Sequence, residues 1–169
     1  MASILQFDQW QNAAGVTYNA VLQVVTGTYN SNGSTTNSAN PPTYTGGLEL
    51  FSTSFTPKKS TSKIIVQSST VSMHEESNTG NIHWLGAWYG AGNLIGVNSG
   101  MIHYGSFTGA LQGAHHSLNH SVASWGTTPQ TITIRAGSDS SQLYINYNTY
   151  ANATNAYRVL SFTIMEVDQ

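Results

Sequence analysis

TITIRAGSDSSQLYINY, residues 131–147, holds the argument for the fold in seventeen positions. Thr131–Ala136 alternates, with Ile132, Ile134 and Ala136 on one side and Thr131, Thr133 and Arg135 on the other. A two-residue period is the signature of a half-buried strand, because successive side chains of extended backbone point to opposite faces. GSDSS then turns the chain, and Leu143, Ile145 and Tyr147 resume the alternation. Outward from this pair the same reading recurs. Leu160, Phe162 and Ile164 align in RVLSFTIMEV (158–167), and AVLQVVTGT (20–28), Leu48–Phe55 and KIIVQSSTVSM (63–73) are rich in strand formers. Asn81–Tyr89 and Asn93–Asn98 flank GAGN, a turn that predicts a hairpin. No segment sustains the i, i+3, i+4 pattern of an amphipathic helix. About eight or nine strands at a spacing of roughly ten residues predict an all-β fold, a β-sandwich of jelly-roll type.

Composition narrows the function. Only 7% of the 169 residues are charged, against about 25% in an ordinary soluble domain. Asn, Ser and Thr take the vacated places. With 11% aromatic residues and a formal net charge of −2, the chain lacks the high net charge and aromatic poverty of disorder. A neutral skin guards poorly against self-association, so it points to a protein that works in an assembly. Five basic residues and a pI near 6.3 exclude much phosphate neutralisation, and with it nucleic acid as a partner. There is no cysteine, hence no disulfide or thiolate metal site. No apolar run reaches the roughly 20 residues of a bilayer span, which predicts no membrane insertion. MASILQFDQW does not read as a signal peptide, and the sequons at Asn32, Asn119 and Asn152 read as chance in so Asn- and Ser-rich a chain.

Two segments stand apart. Residues 29–47 (YNSNGSTTNSANPPTYTGG) have no apolar periodicity and predict a long surface excursion. Residues 1–15 carry an apolar set, Ile4, Leu5, Phe7 and Trp10, on a piece too short to fold alone. They read either as a first strand or cover of the sandwich, or as an N-terminal arm that docks on a neighbouring subunit or another protein. The expected organisation is therefore an arm over 1–15 and one sandwich domain over 16–169.

Three of the six histidines fall in GAHHSLNHSV, residues 113–122. On a helix His116 and His120 would be one turn apart and could share a metal ion. On a strand they are about 13 Å apart and cannot. Ser117, Asn119 and Val122 favour the strand, so no metal site is expected within one chain. The two histidines are then polar strand residues, candidates for a subunit boundary. Only on a trimer axis would one of them meet its own copies. Glu75 and Glu76, beside His74, point to opposite faces if extended and cannot bracket one bond as a glycosidase pair must. GVNSG (96–100) has its serine one place late for a nucleophile elbow, and the glycines at 86, 90, 92 and 96 fit no phosphate-binding template. No catalysis and no cofactor are expected. Trp84 and Trp88 share a strand face. Read one way they are core. Read the other, with Tyr89 beside them, they are an aromatic platform for a sugar ring.

Several stretches together resemble a bacteriophage virion surface module. SILQFDQWQNAAG (3–15) is similar to its opening, and VLQVVTGTY (21–29) to the strand that follows. FTPKKSTSKIIVQSSTVS (55–72) resembles its TP-x-x-(Ser/Thr)-x-SKI-x-V element. TPQTITIRAGSDSSQLYINY (128–147) and VLSFTIMEV (159–167) look like its last strands. The resemblance covers most of the chain through strand-and-turn patterns. It implies a homotrimeric sandwich on a virion, either a capsid decoration (cement) protein touching the major capsid protein or the receptor-binding tip of a tail fibre or tailspike. The absence of shaft repeats favours a free-standing decoration subunit on the capsid outer surface. Its matched motifs are structural and carry no binding residues over.

Overall fold

The computed structural model describes residues 10–11, 17–18, 20–31, 33–36, 42–75, 81–102, 112–139, 142–145 and 159–169. In chain order the strands are β1 (Trp10–Gln11), β2 (Thr17–Tyr18), β3 (Val21–Tyr29), β4 (Gly33–Thr36), β5 (Leu48–Phe55), β6 (Lys63–Ser68) and β7 (Val71–Glu75). They continue as β8 (Asn81–Tyr89), β9 (Asn93–Ile102), β10 (Gln112–His116), β11 (Asn119–Ala123), β12 (Gln130–Ser138), β13 (Gln142–Ile145) and β14 (Leu160–Val167). The described residues contain no helix.

One layer is the sheet β5-β12-β8-β9. The other is broken across its middle into β11-β6-β14-β3 and β10-β7-β13-β4, in the same order. Each of its four strands is interrupted at one level, β6 running on into β7 and β10 into β11. Serine hydroxyls fill the break: Leu118 N–H donates to Ser68 Oγ at 2.9 Å, and Ser161 N–H to Ser69 Oγ at 2.9 Å. Taking each broken strand as one, the layers read β10/β11, β6/β7, β13/β14, β3/β4 against β5, β12, β8, β9. Every pairing is antiparallel. That order is the double Greek key of a jelly roll, as the alternation predicts.

The inward faces are those read from the sequence. Ile132, Ile134, Ala136, Leu143, Ile145, Leu160, Phe162 and Ile164 are all buried. The layers interlock most tightly where Phe51 of β5 stacks on Phe162 of β14, centroids 5.6 Å apart. Gly27 on β3 makes room for that stack, since a Cβ there would lie 1.9 Å from Phe51 Cε2. The hairpin β8–β9 turns through Gly90 (φ 58°) and Gly92 (φ 111°), backbone that side-chain-bearing residues rarely adopt.

The excursion expected over 29–47 needs correction at two places. Gly33–Thr36 pairs with β13 as the outer strand β4, because a short Ser/Thr segment suits an edge that buries little. Residues 42–47 lie back against the β5-β12-β8-β9 sheet. In the N-terminal segment, β1 pairs with β2 (Trp10 opposite Tyr18), while Ile4, Leu5 and Phe7 fall outside the described residues.

Candidate assembly surfaces and the histidine seam

The outward faces of the two layers differ. On the β5-β12-β8-β9 sheet the chain covers its own surface. Arg135 holds the covering segment down, donating from Nε to Gly46 O at 2.7 Å and from Nη2 to Gly47 O at 2.9 Å, while Nη1 meets Glu49 at 2.9 Å. Beneath lie Trp84 and Trp88, edge-to-face at 5.8 Å, 0% and 3% exposed. A Cβ on Gly47 would come 2.8 Å from the Trp84 ring. Buried in this way, neither tryptophan offers a flat face to a sugar. Tyr89 points the other way, to the core, stacked on Trp125 at 4.5 Å. The platform of Trp84, Trp88 and Tyr89 is therefore not assembled.

On the β11-β6-β14-β3 sheet no such cover is seen among the described residues. Register aligns Val24, Met165, Ile65 and Ser121 in one row across the four strands, and Thr26, Thr163, Gln67 and Asn119 in the next. All are exposed or half-exposed, Val24 at 51% and nearby Val21 at 54%. Lys63, at one corner, is the only charged side chain on this face among the described residues, opposite Val167 and Ala123. The result is a surface whose one described charge sits at a corner, with Val24, Met165 and Ile65 in an apolar row through its centre.

The scarce charges work internally instead. Glu166 continues the inward alternation of Leu160, Phe162 and Ile164 and is wholly buried. Its carboxylate accepts from Gln23 Nε2 (2.7 Å), Ser62 Oγ (2.6 Å), and the backbone N–H groups of Lys58 (2.9 Å) and Lys59 (3.0 Å). Burial raises its pKa, but the four donors outweigh burial and the net direction is downward. This explains two motifs at once: the PKKSTS turn is folded around the penultimate acid of the last strand. Sequence reading missed the site, although an acid at an inward position of β14 was its visible sign. Lys59 also pairs with Asp168 at 2.5 Å, and Asp139 caps the start of β8 by accepting from Ile82 N–H at 3.0 Å.

The histidine stretch is extended, as expected. His116 ends β10 and His120 lies in β11, and both face the neighbouring edge strand β9 of the opposite layer. The fit depends on two glycines with the same four-residue spacing. A Cβ on Gly96 would sit 2.1 Å from His120 Cγ, and one on Gly100 3.3 Å from His116 Cε1. His120 Nε2 meets Asn98 Oδ1 at 2.7 Å, and Asn98 Nδ2 in turn donates to the Ser117 carbonyl. Since Oδ1 can only accept, His120 carries its proton on Nε2. His115 faces outward and meets Ser72 Oγ at 3.1 Å. These residues close the seam between the layers within one chain. Among the described residues no group of three potential metal ligands converges.

No protein-family model matches the sequence, and neither does any curated protein. Among solved structures the chain is similar to that of infectious bursal disease virus, Gt strain (TM-score 0.42, 13% identity, 100% of this chain and 43% of that one). It is likewise similar to the VP2 subviral particle of that virus (TM-score 0.39, 13%, 100% and 43%) and to its whole viral particle (TM-score 0.43, 13%, 98% and 39%). The chain thus spans about two fifths of the length of these proteins.

Proposed function

We propose that this protein is a structural subunit of a bacteriophage virion, a homotrimeric decoration protein on the capsid outer surface. The observation that carries the reading is the β11-β6-β14-β3 face, which no described residue covers and on which Lys63 is the one described charge. Its occupant in this reading is a second copy of the chain. A charged partner would find one lysine to pair with, whereas a neutral flank of the next copy, met head to tail around a three-fold axis, leaves only that corner lysine to keep in water. The jelly roll is a common architecture of capsid proteins, and the resemblance to phage virion modules points the same way. Fold alone does not decide function.

The mechanism is mechanical rather than catalytic. Each subunit contributes one weak contact to the major capsid protein, and linking three raises the effective concentration of the second and third. The N-terminal segment with Ile4, Leu5, Phe7 and Trp10 supplies that contact. Bound over a junction of capsid subunits, the trimer opposes outward pressure from packaged DNA. A glycan-binding fibre tip is the weaker reading, since the tryptophans it would use are buried.

Light scattering during size exclusion tests the assembly, and immunogold labelling of virions tests the location. The expected results are a mass three times the 18.1 kDa subunit and label over the capsid shell. A monomer at tens of micromolar, or label confined to the tail tip, refutes the proposal. Deleting residues 1–12 should abolish capsid binding and leave the jelly roll folded; undiminished binding would remove the arm from the mechanism.

A further inference from the structure

The seam between β9 and β10–β11 joins two different sheets without a backbone ladder between them, so side chains hold it shut. His116 is central to it. Its ring lies over Gly100, and Gly100 is the register partner of His83 on β8. His83 is fully buried, and the Nε2 of His116 is buried without a hydrogen-bond partner. Two imidazoles therefore meet in the interior where the layers touch. A neutral ring fits such a place. A charged one there would be desolvated and set against its neighbour.

We propose that this seam is an acid-sensitive latch, held closed by neutral His116 and released when that imidazole takes up a proton. The described surroundings offer the cation little compensation. From β8 His83 faces it. From β9 it meets Gly100, with Asn98 already engaged by His120 and Ser117. On its own strand His115 is turned outward to Ser72. On β7 its register partner is Val71, and the nearest titratable residues, His74 and Glu75, are three and four positions along the strand. On β12 Ser138 lies opposite His83, and the Asp139 carboxylate beyond it is bonded to Ile82 N–H. Burial first, then the fields of His83 and His115, push the His116 pKa below the ordinary histidine value.

The sign follows from that direction. Above about pH 6.5 the ring is neutral in both closed and open states, and the latch has its full strength. As pH falls below that value the open state binds the proton first, so opening becomes more populated until the closed-state pKa is passed. One titrating group changes the opening equilibrium by at most about tenfold per pH unit.

Amide hydrogen exchange on the full chain, corrected for intrinsic pH dependence, reads this directly. Between pH 6.5 and 5.5 the opening of β9 and β10–β11 amides should rise up to about tenfold, while those of β12 and β14 stay constant. His116→Gln should abolish the dependence, and His115→Gln should leave it. A flat wild-type profile, or one that survives His116→Gln, overturns the latch, as does a dependence removed by His83→Gln alone. Should His116→Gln fail to fold, NMR titration of the wild-type imidazoles decides. His116 must titrate below the ordinary histidine value, with the β9 amides shifting at the same midpoint. An ordinary midpoint for His116 ends the proposal.

Discussion

Glu166→Gln exchanges one oxygen for an amide nitrogen and keeps the shape of the side chain, so packing is held constant while charge and acceptor count change. In the native site Oε1 takes the Lys58 and Lys59 N–H groups and the Ser62 hydroxyl, and Oε2 takes Gln23 Nε2 and shares Lys58 N–H. A glutamine oxygen on the Oε1 side retains three donors but sets its own NH2 against Gln23 Nε2. Gln23 cannot escape by flipping, because that nitrogen also donates to Thr56 O at 2.7 Å. With the amide reversed, the NH2 meets Lys59 N–H and Ser62 instead. Every arrangement leaves a donor facing a donor.

The magnitude follows from bond types. Hydrogen bonds to a charged group contribute about 1.5–3 kcal/mol each and neutral ones about 0.5–1.5. Downgrading three and losing one totals about 4.5–7.5 kcal/mol, and relief from burying a carboxylate returns a large part of it. A net loss of about 2–4 kcal/mol is expected, a large share of the usual 5–15. Urea unfolding at pH 7 measures it as a lower midpoint at unchanged slope. The difference must also depend on pH. A carboxyl whose folded pKa is depressed stabilises fully above its unfolded value, about 4.3, and loses that contribution as pH falls through the folded value. Wild type and Glu166→Gln should therefore converge only below about pH 4. A variant within about 0.5 kcal/mol of wild type at pH 7, or a gap that does not narrow as pH falls below about 4.3, would refute the role assigned to this acid.

Other perturbations probe the layers and faces. Gly27→Val drives side-chain atoms into the Phe51 ring and should cost about 1–3 kcal/mol, read by thermal unfolding. Trp84→Ala empties a wholly buried site and should cost about 3–5 kcal/mol, far more than an exposed platform residue would show. Gly96→Ala should displace the His120 ring, break its bond to Asn98, and speed amide exchange in β11 before any other strand. Met165→Lys places a charge at the centre of the neutral face. It should lower the light-scattering mass to one subunit while moving the unfolding midpoint of the isolated subunit by under about 0.5 kcal/mol.

How far the sequence foretells these sites depends on the range of the contact. The alternation of Ile132, Ile134 and Ala136 reports on a strand's own faces, and those residues are buried as read. Trp84 and Trp88 were legible as a pair on one face. What covers that face was not, because residues 42–47 come from another part of the chain, tied by an arginine at position 135. Glu166 shows a similar limit. Its inward position could be counted along β14, but its four donors lie over 100 residues away or across the sheet on β3. Gly33–Thr36 carried no apolar signal at all, since a polar edge strand is defined by its neighbour, β13. The four-residue spacings of His116–His120 and Gly96–Gly100 are both written in the chain. Their match acquires meaning only once β9 and β10–β11 are adjacent.

The neutrality of the open face still needs a cause, and folding does not supply one. Lysine or glutamate at Thr26, Thr163 or Gln67 would point outward from a strand and alter stability by no more than about 0.5 kcal/mol. Such charges protect sheet proteins from sticking to one another, so a solitary subunit gains from having them. The chain does possess charged residues, but among those described Glu49 and Arg135, Lys59 and Asp168, Asp139 and Glu166 are engaged in its own turns, covering segment and strand ends. A surface kept free of charge but for one corner lysine, at no benefit to the fold, is one whose added charges would have to be stripped of water when it is covered, at a cost of several kcal/mol per ion. That cost arises only when the face is covered, as it is in the assembly proposed above.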